Sequence, residues 1–109
     1  FRDPRLGGTA FYAPRHPPEV IVPLILDSAR LPAAAFEAKY GIATGYITAS
    51  NAWFEKLAVV PARFNRLIVY EGTVFHTGEI AHPELLVRDP RHGRLSLNGF
   101  FTCRKRIDA

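Results

Sequence analysis

Cysteine is nearly absent: Cys103 stands alone among 109 residues. No internal disulfide can form, so a reducing, cytoplasmic setting fits best, with Cys103 as a small buried or half-buried side chain. Long apolar runs are also missing. The longest, "VIVPLIL" at residues 20–26, is interrupted by Pro23. It falls well short of the roughly 18 residues a membrane helix needs, so no membrane partner is expected. No repeat or low-complexity segment is present. The first residue is Phe1, not methionine, which reads as the start of a fragment or of a processed chain.

A strong excess of one charge is lacking too. Fourteen Lys and Arg against ten Asp and Glu leave a net charge of +4. The basic residues are scattered, and the one tight cluster is "RKR" at residues 104–106. None of the motifs of nucleic-acid-binding modules occurs, so nucleic acid is not the expected partner. What is present is ordinary for a soluble globular protein: 48% hydrophobic and 22% charged residues. The length suits one domain spanning residues 1–109.

Three zones follow along the chain. "FRDPRLGGTAFYAPRHPPE" is turn-rich, and "TAFY" reads as a short strand after Gly7 and Gly8. Residues 17–52 look partly helical. In "LPAAAFEAKYG", Pro32 marks a helix start and Gly41 a stop, and Ser50 suits the cap of a short helix holding Trp53 and Phe54. From Lys56 to Arg104 the chain is β-rich. "KLAVV" runs to Pro61, and "RFNRLIVY" is β-branched and aromatic. "TVFHTG" ends at Gly78, and "RLSLNGFFTC" reads as a last strand.

The last of these carries a pattern with period two. Leu95, Leu97, Gly99 and Phe101 form a simple core face. Arg94, Ser96, Asn98 and Phe100 form the other, with a cation, a hydroxyl and an amide in a row. That second face suits water, as one face of an antiparallel sheet often does. It also suits a barrel interior in which Arg94 forks onto a carboxylate beside Ser96. His76, at a strand end, has the same two readings: a structural side chain, or a neutral imidazole ligand for divalent iron in a site of two histidines and one carboxylate.

Taken in order, "GGTAFY", "PARFNRLIVYEGTVFHTG" and "GRLSLNGFF" resemble the C-terminal half of iron- and 2-oxoglutarate-dependent oxygenases, nearest to a bacterial branch with a prolyl-hydroxylase-like barrel. The resemblance covers roughly residues 3–16 and 53–102 and leaves residues 17–52 as a partly helical insertion. It implies a mainly β chain forming part of a double-stranded β-helix, the jelly roll or cupin-like fold. It also implies Fe(II) and 2-oxoglutarate as cofactors, with His76 as the distal iron ligand. Arg94 holds the far carboxylate of 2-oxoglutarate, Ser96 sits beside it, Asn65 lines the pocket, and Tyr12 and Tyr70 lie near the same wall. The family's "HxD" element, its other metal ligands, does not occur in these residues. A preceding segment or a second chain would then complete the barrel. The pairs His82 with Glu84 and His16 with Glu19 are poor substitutes, and His92 suits a solvated turn. The implied activity is hydroxylation of a small-molecule or peptide substrate. The alternatives are a non-catalytic binding module of the same barrel, a structural fragment, and a basic module acting through residues 104–106.

Overall fold

The computed structural model describes residues 1–106. Three strands form one antiparallel sheet in the order β2-β1-β3, where β1 is Thr9–Pro14, β2 is Phe54–Val60 and β3 is Phe75–Gly78. Two helices, α1 (Pro18–Arg30) and α2 (Ala33–Tyr40), lie in the connection between β1 and β2. Short 3-10 turns occupy Pro4–Leu6 and Pro83–Leu85.

Gly7 and Gly8 allow the sheet to start. Gly7 has φ +89°, and a Cβ placed on it would lie 2.0 Å from the Glu79 carbonyl oxygen. On Gly8 a Cβ would lie 1.9 Å from the Val60 carbonyl oxygen. Only glycine lets β1 enter between the two neighbouring backbones at this spacing. Along β1, Ala10 and Tyr12 turn to the helical side and are buried, while Thr9, Phe11 and Ala13 face the other way. The register shifts between Phe11 and Tyr12, where β2 holds one extra residue: Phe11 pairs with Ala58 and Tyr12 with Lys56, which leaves Leu57 as a β-bulge.

Helix α1 starts with Pro18 in its first turn, where the missing N–H costs nothing, and it continues through Pro23. Ile21 and Leu24, three residues apart, form the stripe that packs on Ala10, Tyr12 and Phe54. Helix α2 follows the sequence closely, with Pro32 before its first residue and Gly41 after its last at φ +67°. The helices are tied side chain to side chain: Asp27 Oδ2 accepts from Lys39 Nζ at 2.6 Å and from the Tyr40 hydroxyl at 2.5 Å. Trp53 donates its indole N–H to the Tyr40 carbonyl at 2.8 Å and meets the Tyr40 ring edge-on.

The Lys39 ammonium, and then the Tyr40 hydroxyl, hold the Asp27 carboxyl below its ordinary value of 3.8. A group with a depressed folded-state pKa contributes its full stabilisation above the unfolded value and loses it as pH falls through the folded one. The gap in melting temperature between the wild type and Asp27→Asn is therefore expected to be present at neutral pH. It should close as pH drops below 3.8, which thermal melts followed by Trp53 fluorescence will measure.

This architecture corrects the jelly-roll expectation. A jelly roll packs two sheets of about eight strands in all, whereas three strands pair here, with the helices on one face. The chain is mixed α/β and its sheet is open, not mainly β. "RFNRLIVY" and "RLSLNGFFTC" have strand-like composition but no strand partner, and Phe64 begins a turn. Strand formation needs a neighbour as well as a propensity, and neither segment has one among the described residues. The expected core face of the last segment is exposed instead: Leu95 by 62%, Leu97 by 98% and Phe101 by 89%. Cys103 is also exposed. Ser50 caps no helix; its hydroxyl accepts from the Lys56 N–H, and Asn51 Oδ1 accepts from the N–H groups of Trp53 and Phe54 to launch β2. The buried core is small, comprising Leu6, Ala10, Tyr12, Ile21, Leu24, Phe54 and Ile80. The radius of gyration of 16.5 Å exceeds the ~13 Å of a compact domain this long.

Candidate functional site

The helix-free face of the sheet gathers the chemistry. On β3, Phe75 packs against Phe54 on the helical side, so His76 and Gly78 point to the opposite face. His76 pairs with Phe11 across the ladder. Its ring lies 4.8 Å from that of Tyr70 and 6.5 Å from that of Phe11, and Tyr70 meets Phe11 edge-on at 5.0 Å. Three aromatic rings thus form a half-open wall. His76 Nδ1 lies 2.7 Å from the Val74 carbonyl oxygen. A carbonyl can only accept, so Nδ1 carries the proton, and in the neutral ring Nε2 is the lone-pair nitrogen. A fixed tautomer of this kind is what orients a histidine for metal or acid-base work.

Arg94 arrives from the far end of the chain. Its Nε donates to the Gly7 carbonyl at 3.2 Å and its Nη2 to the Gly8 carbonyl at 3.3 Å. The Phe1 ring lies 5.3 Å from the guanidinium carbon. Arg94 Nη2 packs over Gly78, 3.6 Å from where a Cβ would stand, an ordinary contact distance. Gly78 shares a face with His76 two positions away, a rise of about 7 Å along the strand. Arg94 Nη2 therefore lies against the same strand as His76, on the side to which Gly78 faces. The two carbonyl bonds fix the guanidinium plane, while Nη1 makes no hydrogen bond among the described residues. That leaves an end-on pair of N–H groups for an incoming carboxylate.

The other expected residues lie elsewhere. Ser96, two residues past Arg94, is exposed and makes no hydrogen bond among the described residues. Asn65 is exposed in a turn with φ +61°, the left-handed conformation asparagine tolerates, and does not line this face. Tyr12 points the opposite way, into the core, where its hydroxyl donates to the Ile47 carbonyl at 3.2 Å and burial raises its pKa. His82 and Glu84 pair with each other at 3.1 Å in an exposed turn. His16 stacks on Trp53, and His92 contacts Asp89 at 3.0 Å. Among the described residues no group of three His, Cys, Asp or Glu could hold a metal ion.

Two features escaped the sequence. Gly78 reads only as a strand stop, yet the Arg94 head group packs over it. On the helical face, Lys56 Nζ bridges the Glu79 carboxylate at 2.5 Å and the Thr48 carbonyl at 2.6 Å. The second Glu79 oxygen is buried without a partner. This half-buried pair pins the loop after α2 to the sheet, on the side away from His76.

Among the described residues no helix is long and apolar enough to cross a membrane. No curated protein and no solved structure matches the chain. One family model, described as a family of unknown function (DUF6445), matches residues 1–101, and the chain belongs to that family.

Proposed function

We propose that this chain supplies the 2-oxo-acid end of an iron- and 2-oxoglutarate-dependent oxygenase site, with Arg94 receiving the far carboxylate and His76 placed to ligate the metal. The observation that carries the reading is the shared face. Arg94, bonded to the carbonyls of Gly7 and Gly8, packs over Gly78 on the strand that carries His76, whose free nitrogen is Nε2. Arg94 gives charge and a planar fork. Tyr70 and Phe11 shield one flank of the imidazole. The substrate is a small molecule or peptide bearing the C–H bond to be oxidised.

The described residues do not fit a complete iron centre. One imidazole is in place, and the second histidine and the carboxylate of such a centre have no counterpart near it. No step is therefore routed through the metal, and the chemistry assigned to this chain is recognition of the 2-oxo acid and provision of one ligand.

Anaerobic titration of the full-length protein with ferrous iron and 2-oxoglutarate tests the reading. A visible metal-to-ligand absorption band is expected, and His76→Ala should lose it with an unchanged circular dichroism spectrum. No band in the wild type would remove the oxygenase reading. A second reading rests on the carbonyl bonds of Arg94: the side chain would serve to fasten the last segment to the turn at Gly7 and Gly8, in a non-catalytic module. In that case loss of Arg94 lowers stability and leaves ligand affinity untouched.

A further inference from the structure

We propose that two copies of this chain associate by exchanging strands, residues 95–103 of each adding to the open part of β2 in the other. The inference is independent of the oxygenase reading.

The donor segment lacks both things a strand needs. Residues 95–103 make no backbone hydrogen bond among the described residues, although their sequence alternates in the strand manner. Their large side chains stand in solvent: Leu97 is 98% exposed and Phe100 95%. Leu67 and Val69, each 86% exposed, extend the apolar surface. Apolar exposure on this scale marks an interaction surface. An extended segment with free N–H and C=O groups is recognised most directly by a sheet edge.

The acceptor lies on the same chain. β2 is an edge strand. Ser50 and Asn51 cover its first half, through the Lys56 N–H and the Phe54 carbonyl. Residues 57–60 have no such cover, and Leu57 and Val59 are exposed there by 57% and 37%. Over these four residues no inward charge or proline guards the edge, and the only protecting device is the bulge at Leu57, at their start. Neither residues 57–60 nor residues 95–103 carry a charged side chain, so the net charge of +4 stays outside the contact, as it does at the centre of stable interfaces.

Self-complementarity selects a second copy as the occupant. If each chain gives residues 95–103 to the open part of β2 in the other, the two-fold pair uses both donors and both acceptors and closes. The area is adequate. Phe100 and Phe101 together offer roughly 300 Å² or more, and Leu57, Val59, Leu95 and Leu97 add to it towards the ~800 Å² per partner of a stable association. Such pairing also accounts for an expanded radius of gyration and a small core in the single chain.

Sedimentation equilibrium of the full chain over about 1 to 100 µM is the test. The expected result is a monomer-dimer equilibrium. Phe100→Asp and Leu57→Lys, at opposite ends of the proposed contact, should each weaken it at least tenfold without changing the circular dichroism spectrum. Both positions are exposed in the single chain, so neither change threatens its fold. A monomer throughout the range overturns the proposal. So does a dimer indifferent to both substitutions, and so does open-ended polymer in place of a closed pair.

Discussion

Arg94→Ala is expected to weaken 2-oxoglutarate binding about 10- to 100-fold, the loss that follows removal of a hydrogen-bonded charge worth about 1.5–3 kcal/mol. The fork is half committed: Nε and Nη2 hold the carbonyls of Gly7 and Gly8, and Nη1 has no hydrogen bond among the described residues. Arg94→Lys should recover little, since one ammonium cannot bond two carbonyls and a carboxylate in a plane at once. Calorimetric titration beside a thermal melt separates the two readings. An affinity that survives Arg94→Ala while the melting temperature falls assigns the residue to fastening alone. An affinity that collapses in both variants assigns it to the ligand.

Gly8→Ala is expected to cost at least about 3 kcal/mol, the upper part of the range for forced overpacking and a large share of the 5–15 kcal/mol that holds a small domain folded. The added methyl would sit 1.9 Å from the Val60 carbonyl oxygen and 2.8 Å from the Ala62 nitrogen. Both obstacles are backbone, so β1 and β2 must separate and the ladder between them must break. Gly72→Ala is the control: nothing lies within 4 Å of the methyl there, and the change should stay within about 0.5 kcal/mol. Urea melts of both variants measure the difference, and equal midpoints would show that β1 shifts without loss.

These effects bear on how much of the molecule was legible beforehand. Helix α2 was, because Pro32 and Gly41 mark its ends by local backbone preference. β1 and β3 were, because glycines bound short alternating runs. Helix α1 was not: Pro23 looks like a break in "VIVPLIL", but it sits early enough that the helix gives up one hydrogen bond, to the Glu19 carbonyl, and continues because Ile21 and Leu24 are buried on either side of it. The segments at 63–70 and 94–103 were misjudged for a different reason. Their alternation is real, but a strand is a relation between two backbones, and composition names only one of them. At the site, a resemblance singled out His76 and Arg94. Arg94 reaches the neighbourhood of β3 through the carbonyls of Gly7 and Gly8, a long-range contact that no pattern of residue types announces. Ser96 and Asn65 came from the same resemblance and are both exposed, Ser96 in a segment without a strand partner among the described residues and Asn65 in a turn.

The bulge at Leu57 gives the protein one tolerant position for a change in chain length. Since Lys56 already opposes Tyr12 and Ala58 already opposes Phe11, excising Leu57 would join two segments that are in step. Every remaining β2 side chain would keep its present side, and only the local coiling of the ribbon would relax. A deletion at Glu55 or Val59 has no such slack and would reverse the facing of the residues beyond it. Natural relatives that differ by one residue here should therefore do so at this site.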